Sequence, residues 1–155
     1  MGTGREAHGG QCGAVVRCEV NEEMPGLREY RLAAVVRAED FDRARDFYTH
    51  VLGLEERDVS ALTREGAFAA GRGTTLTIYE HPGMPASDNT SLGFGVPAEH
   101  FDEVIDDLRR RGVAFEEYDV PEIDLKTING VAIVGGMKIA WFRDSENNIV
   151  SIGTM

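Results

Sequence analysis

The order of predicted elements repeats along this chain, and that repeat restricts the fold more than any other feature. Residues 30–37 (YRLAAVVR) are short, apolar and β-branched toward their end, and Asp40 then stands as an N-cap before FDRARDFYTHVLG. There Phe41, Ala44, Phe47, Tyr48, Val51 and Leu52 keep the i, i+3, i+4, i+7 spacing of one helix face, and Gly53 follows as a C′ glycine. Three strand-like segments come next, at 54–60, 66–70 and 74–80. After HPGMP at 81–85 the order restarts. SLGFGV at 91–96 predicts a strand, and Pro97 opens a helix with Phe101, Val104, Ile105 and Leu108 on one face and Gly112 at its end. Strands are again expected at 114–120, 131–142 and 149–153. Val36 to Gly53 spans 17 positions and Val96 to Gly112 spans 16, so the pattern survives an offset of about 60 residues, the mark of an internal duplication. The fold class is α+β, two tandem βαβββ modules. They differ mainly at 121–130 (PEIDLKTING), an insertion rich in turn formers; glycines 71, 73, 135 and 136 read as turn glycines.

The modules occupy 29–81 and 89–153 of a domain at 29–153, and a chain of 155 residues with 42% hydrophobic residues can bury such a core. Residues 1–28 have glycines at 2, 4, 9, 10, 13 and 26 and no sustained period, and read as a flexible leader or an upstream extension of the reading frame. Cys12 and Cys18 fall in it, without metal-ligand spacing, and are expected to be free thiols. A net charge of −11 disfavours a surface that tracks phosphates, and Arg109-Arg110-Arg111 sits beside Asp106-Asp107, so nucleic acid is not an expected partner. No apolar run approaches the ~20 residues of a membrane span, and the N-terminus has no basic flank with an apolar core; the expected location is cytoplasmic, with no membrane partner.

Two motifs narrow the reading. RDFYTHVLGL closes the first helix: its aromatics pack the helix on a sheet, and Gly53 permits the turn into the next strand. WFRDSENNIVSI near the end reads as a hairpin, with Asn147 at the position that enters the left-handed region. Together with the tandem modules these motifs resemble the vicinal oxygen chelate superfamily, which includes glyoxalase I, extradiol dioxygenases, fosfomycin-resistance thioltransferases and bleomycin-resistance proteins. The likeness covers residues 29–153. It departs in the hairpin, D-S-E-N-N where such proteins usually carry D-P-D-G-N.

The resemblance implies curved mixed sheets around a cavity, the glyoxalase/bleomycin resistance-type fold. In metal-dependent members four inward-facing His and Glu side chains hold one divalent ion there. The matching positions of this chain are Arg31, Thr77, Ser91 and Ser151, and none is an ordinary ligand. A one-residue slip reaches only Leu32, Leu76, Leu92, Val150 and Ile152. His8, His50, His81 and His100 fall outside this set, and Glu80 and His81, as strand neighbours, point to opposite faces. No metal and no other cofactor is expected.

What remains is a cavity whose lining follows from the strand phase: Arg31, Ala33 and Val35; Thr77 and Tyr79; Ser91, Gly93 and Gly95; Ser151. The fosfomycin-resistance branch implies an inward role for Trp141, whereas simple hairpin pairing favours Phe142. The expected ligand-binding residues are Arg31, Thr77, Tyr79, Ser91, Trp141 and Ser151. The expected function is a metal-free protein that binds a small organic, aromatic or antibiotic-like molecule as a resistance protein does, and acts as a homodimer. The alternative is an enzyme of the same superfamily: an isomerase, epimerase, cyclase or lyase, or a dioxygenase if the metal ligands lie elsewhere.

Overall fold

The computed structural model describes Leu27 and residues 30–155. The chain divides into two compact units, Met1–Arg31 and Leu32–Met155. The leader, apart from Leu27, and with it His8, Cys12 and Cys18, lies outside the described residues.

Within the second unit the repeat is real. Strand β1 (Ala34–Ala38), helix α1 (Phe41–Asp46) and strands β2 (Glu55–Ser60), β3 (Glu65–Ala69) and β4 (Thr75–Glu80) build one sheet, ordered β1-β4-β3-β2. Strand β5 (Thr90–Val96), helix α2 (Phe101–Arg110) and strands β6 (Asp119–Val120), β7 (Leu125–Ile128), β8 (Val131–Val134), β9 (Met137–Arg143) and β10 (Ile149–Thr154) build the other, ordered β5-β10-β9-β8-β7-β6. In each sheet the first strand pairs in parallel with the last, across the helix, and the remaining pairs are antiparallel. Both sheets are therefore mixed, as expected.

Asp40, in extended conformation, caps α1 by accepting from the amides of Asp42 and Arg43 at 3.0 and 3.2 Å. The expected helix does not stay α throughout: Phe47–Val51 widens to a π turn. The Thr49 hydroxyl donates to the Arg45 carbonyl at 2.7 Å, the acceptor an α-helical Thr49 amide would use. Gly53, at φ 75°, then turns the chain into β2. Phe41, Ala44 and Tyr48 seal α1 onto Val36, Ala38, Phe68, Leu76 and Ile78; Phe101, Ile105 and Leu108 seal α2 onto Ala140, Phe142, Val150 and Ile152. Phe47, Leu52 and Leu92 pack against both clusters and join the modules.

The second module corrects the sequence reading in three places. Residues 131–142 are not one strand but the hairpin β8–β9, turning at Gly135 and Gly136 with φ 57° and 84°. Gly135 and Gly136 read as turn glycines, yet the expected strand was carried through them. Of the strand expected at 114–120 only Asp119–Val120 and a single bridge from Phe115 to Phe142 form. The insertion at 121–130 supplies strand β7, whose Thr127 exchanges backbone hydrogen-bonding partners with Tyr118: its amide donates to the Tyr118 carbonyl at 2.9 Å and its hydroxyl accepts from the Tyr118 amide at 2.7 Å.

The closing hairpin adopts the expected turn, with Asn147 at φ 68°. Its carboxylates do more than shape the loop. Asp144 accepts from the amides of Glu146 and Asn148 at 2.9 and 2.8 Å and from the buried Tyr48 hydroxyl at 2.7 Å. Burial and then the Asp144 charge push the Tyr48 phenol far above its ordinary range. Glu146 reaches across to the first module, accepting from the amides of Glu39 and Asp40 at 2.9 and 3.0 Å and from Arg43 Nε and Nη2 at 2.8 and 2.9 Å. A carboxylate of module two thus sits at the entry to α1, where its negative charge complements the unpaired amides. Removing the Tyr48 hydroxyl alone is a mild test of this seam. Tyr48→Phe is expected to cost about 1–2 kcal/mol in chemical unfolding, because Asp144 loses a charge-assisted donor but keeps three others.

Candidate functional site

Strand alternation sorts each sheet into a helix-covered face and an opposite one. Val36, Ala38, Leu76, Ile78, Phe142, Val150 and Ile152 lie on the covered side and belong to the two cores. Val35, Thr77, Tyr79, Ser91, Gly93, Ser151 and Trp141 alternate with them and take the other side. Strands β1 and β5 belong to different sheets and approach each other at a few residues.

Four of the six expected binding residues fall into two close sets. Thr77 and Tyr79 are successive on one face of β4. On the second sheet Ser151 pairs with Trp141 of β9 on one side and Gly93 of β5 on the other, making a cross-strand row Gly93–Ser151–Trp141. Ser91 lies two residues before Gly93 and is exposed, beside the register shift at Ile149/Val150. Arg31 is exposed and belongs to the unit Met1–Arg31; β1 begins only at Ala34, short of the strand expected from residue 30.

The structure also decides between the two aromatics. Phe142 is fully buried, with Phe47 and Phe115 at centroid distances of 6.4 and 5.9 Å. Trp141 is half-buried on the open face, and the ring of Tyr118 meets it edge to face at 5.5 Å and 84°. Burial, and then the Glu116 charge, raise the Tyr118 phenol, with Arg143 opposing them.

Tyr118 was missed because the lining was read from the strands that carry Arg31, Thr77, Ser91 and Ser151, and the segment 114–120 is not one of them. Arg37 was missed for another reason. The phase Ala33, Val35 continues to Arg37, which pairs with Tyr79, but the lining was read only as far as Val35. Arg37 donates from Nη2 to the Glu146 carbonyl at 3.0 Å, Nη1 lies 3.6 Å from the Glu39 carboxylate, and Nε and Nη1 are buried without a hydrogen-bond acceptor. It borders a cleft of about 400 Å³ with Arg43, Met84, Pro85 and Ser145.

Arg31, Thr77, Ser91 and Ser151, the positions expected from the resemblance, offer a guanidinium and three hydroxyls, and neutral hydroxyls without anionic company do not fit a divalent cation. Among the described residues no three His, Cys, Asp or Glu side chains are placed to hold a metal. Glu80 and Glu146 are engaged elsewhere. Arg64 and then the Phe41 amide hold Glu80 below the usual carboxylate range. Burial pushes Glu146 upward, but Arg43, the Asp40 amide and the Ser145 hydroxyl together outweigh it and hold this carboxyl low as well. No helix among the described residues is long and apolar enough to cross a membrane.

A sequence model of the Glyoxalase/Bleomycin resistance protein/Dioxygenase superfamily matches residues 31–150. No curated protein sequence matches. Among solved structures, a glyoxalase/dioxygenase from Nostoc punctiforme aligns with a TM-score of 0.60 at 16% identity, covering 87% of this chain and 97% of its own. The fosfomycin resistance protein FosX from Listeria monocytogenes aligns with a TM-score of 0.59 at 18% identity, covering 79% and 88%. The same protein complexed with Mn(II) and sulfate aligns with a TM-score of 0.59 at 16% identity, covering 81% and 92%.

Proposed function

The chain belongs to the glyoxalase/bleomycin resistance protein/dioxygenase superfamily, and from that premise we propose that it binds a small planar or aromatic molecule without a metal, on the face that carries Trp141 and Ser151. The observation that carries this reading is the row Gly93–Ser151–Trp141, uncharged and aromatic at one end, with Ser151 at a position that the resemblance matches to a metal ligand. Thr77 and Tyr79 lie on the open face of the first sheet, and Ser91 lies on β5 two residues before Gly93. The fosfomycin resistance proteins among the similar structures favour a resistance role, capture of a toxic small molecule in the cytoplasm. A homodimer fits this role, since a second copy would close the open faces.

Trp141 is the only tryptophan, so its emission reports the site without background. A screen of planar natural products and antibiotics is expected to give saturable quenching or shift of that emission, with the bound compound recovered unchanged. Tight binding that leaves the emission untouched would place the site elsewhere, and steady conversion of the compound would make the protein an enzyme. Elemental analysis of the purified protein is expected to find far less than one divalent metal ion per chain. A stoichiometric ion would overturn the metal-free reading.

A further inference from the structure

We propose that the cleft beside Arg37 is a second ligand site, for a small carboxylate with a short apolar body. It shares no residue with the face that carries Trp141 and does not depend on the reading of that face. Strand β1 delivers Arg37 to the seam between the modules, where its Nη2 donates to the Glu146 carbonyl at 3.0 Å. The side chain is only 11% exposed, and its Nε and Nη1 are buried with no hydrogen-bond acceptor. A buried guanidinium bonded to one neutral carbonyl leaves much of its desolvation cost uncompensated, so an anion that reaches it is bound strongly.

The nearest carboxylate does not fill that role. Glu39 Oε2 stands 3.6 Å from Arg37 Nη1, close enough for attraction and too far for a hydrogen bond. The Gly83 amide holds it there, donating to Oε1 and Oε2 at 3.1 and 2.9 Å. Glu39 is half exposed and is free to turn into solvent. A ligand carboxylate that takes its place inherits the Gly83 amide and closes on Arg37. Arg37, Glu39 and Gly83 all border the cleft of about 400 Å³, a volume near the small end of ligand pockets. The charges around it set the charge of the ligand. With Glu39 turned out, two guanidinium groups, Arg37 and Arg43, oppose the one carboxylate of Glu146. The excess is a single positive charge, which a monoanion neutralises and a dianion exceeds. Met84, 44% exposed, and Pro85 supply an apolar lip for the carbon body.

The test uses isobutyrate, its neutral isostere isobutyramide, and dimethylmalonate, which adds a second carboxylate to the same skeleton, at neutral pH and constant ionic strength. In isotope-labelled protein the NMR signals of the Gly83 amide and the Arg37 Nε–H are expected to shift saturably with isobutyrate, while Trp141 emission stays unchanged. Isobutyramide and dimethylmalonate should each bind at least about tenfold more weakly, for want of a charge and for excess of one. Glu39→Ala removes the resident carboxylate but keeps the backbone amide that donates to Glu146, and should bind isobutyrate about tenfold more tightly than wild type. A merely structural role for Glu39 gives no such gain. Arg37→Met should abolish the response; if that variant does not fold, the Glu39→Ala comparison decides alone. Equal affinity for isobutyrate and either comparison compound, no gain in Glu39→Ala, or a Gly83 signal that isobutyrate leaves unmoved in both proteins overturns the proposal.

Discussion

Glu146→Ala is expected to lower the melting temperature by about 10 °C. The carboxylate is buried, yet it accepts from two backbone amides and from Arg43 through two nitrogens, all in the other module. Truncation leaves the Glu39 and Asp40 amides at the start of α1 without acceptors and releases the Arg43 guanidinium. Each amide left unpaired costs about 1–3 kcal/mol when desolvated. Arg43 is half exposed and recovers water, which holds the total to roughly 3–4 kcal/mol. At about 2–4 °C per kcal/mol for a chain of this length, scanning calorimetry resolves this easily. A change under 3 °C would show that the seam between the modules is held by its apolar contacts alone.

The same carboxylate gives the seam a pH dependence with a definite sign. Its hydrogen bonds hold Glu146 below the usual range in the folded state, so the unfolded chain takes up the proton first as pH falls. Its stabilisation is complete above the unfolded value of about 4.3 and is lost as the pH drops through the lower folded value. Glu146→Gln, which keeps the shape without the charge, should be less stable than wild type at pH 7, and the gap should narrow below about pH 4. Glu80, held low by Arg64, acts in the same direction and remains in the variant. A gap that stays constant from pH 7 to pH 3 would mean Glu146 contributes no charge to the seam.

The second large effect separates two adjacent aromatics. Phe142→Ala removes a ring with no solvent exposure from the centre of the second core, between Phe47 and Phe115, and is expected to cost roughly 3–5 kcal/mol in unfolding free energy. Trp141→Ala, one residue earlier, empties no core. It forfeits the contact with Tyr118 and some half-buried area, roughly 1–2 kcal/mol. For a stacked aromatic ligand the order reverses: Trp141→Ala should weaken binding about two- to twelvefold, from stacking worth roughly 0.5–1.5 kcal/mol beyond burial. Equal stability losses for the two variants would contradict the assignment of Phe142 to the covered face and Trp141 to the open one.

Much of this architecture is local and therefore readable along the chain. Asp40 caps α1 and Gly53 and Gly112 turn the chain after their helices because each choice depends on the residue's own φ, ψ and hydrogen-bonding capacity. Alternation along β4 and β10 assigned Thr77, Tyr79 and Ser151 to one face without any knowledge of partners. The duplication was legible since both copies keep the same apolar spacing, which a helix resting on a sheet requires. Elsewhere the reading failed: a strand expected at 131–142 ran through Gly135 and Gly136 although both read as turn glycines, and residues 121–130, rich in turn formers, supply β7.

The sequence by itself determined the doubled module and the helices with their caps and stops. Only the tertiary structure decided which of Trp141 and Phe142 is covered, because that depends on the register of β9 against β10 and on where α2 lands, not on the dipeptide itself. It alone brought Tyr118 against Trp141, through a hydrogen-bonded exchange with Thr127 on a strand the sequence did not announce. And it alone gave Glu146 its role. A carboxylate in a turn reads as solvated until the fold sets it over the start of a helix more than a hundred residues away, where desolvation would oppose its charge were it not for the amides and guanidinium waiting there.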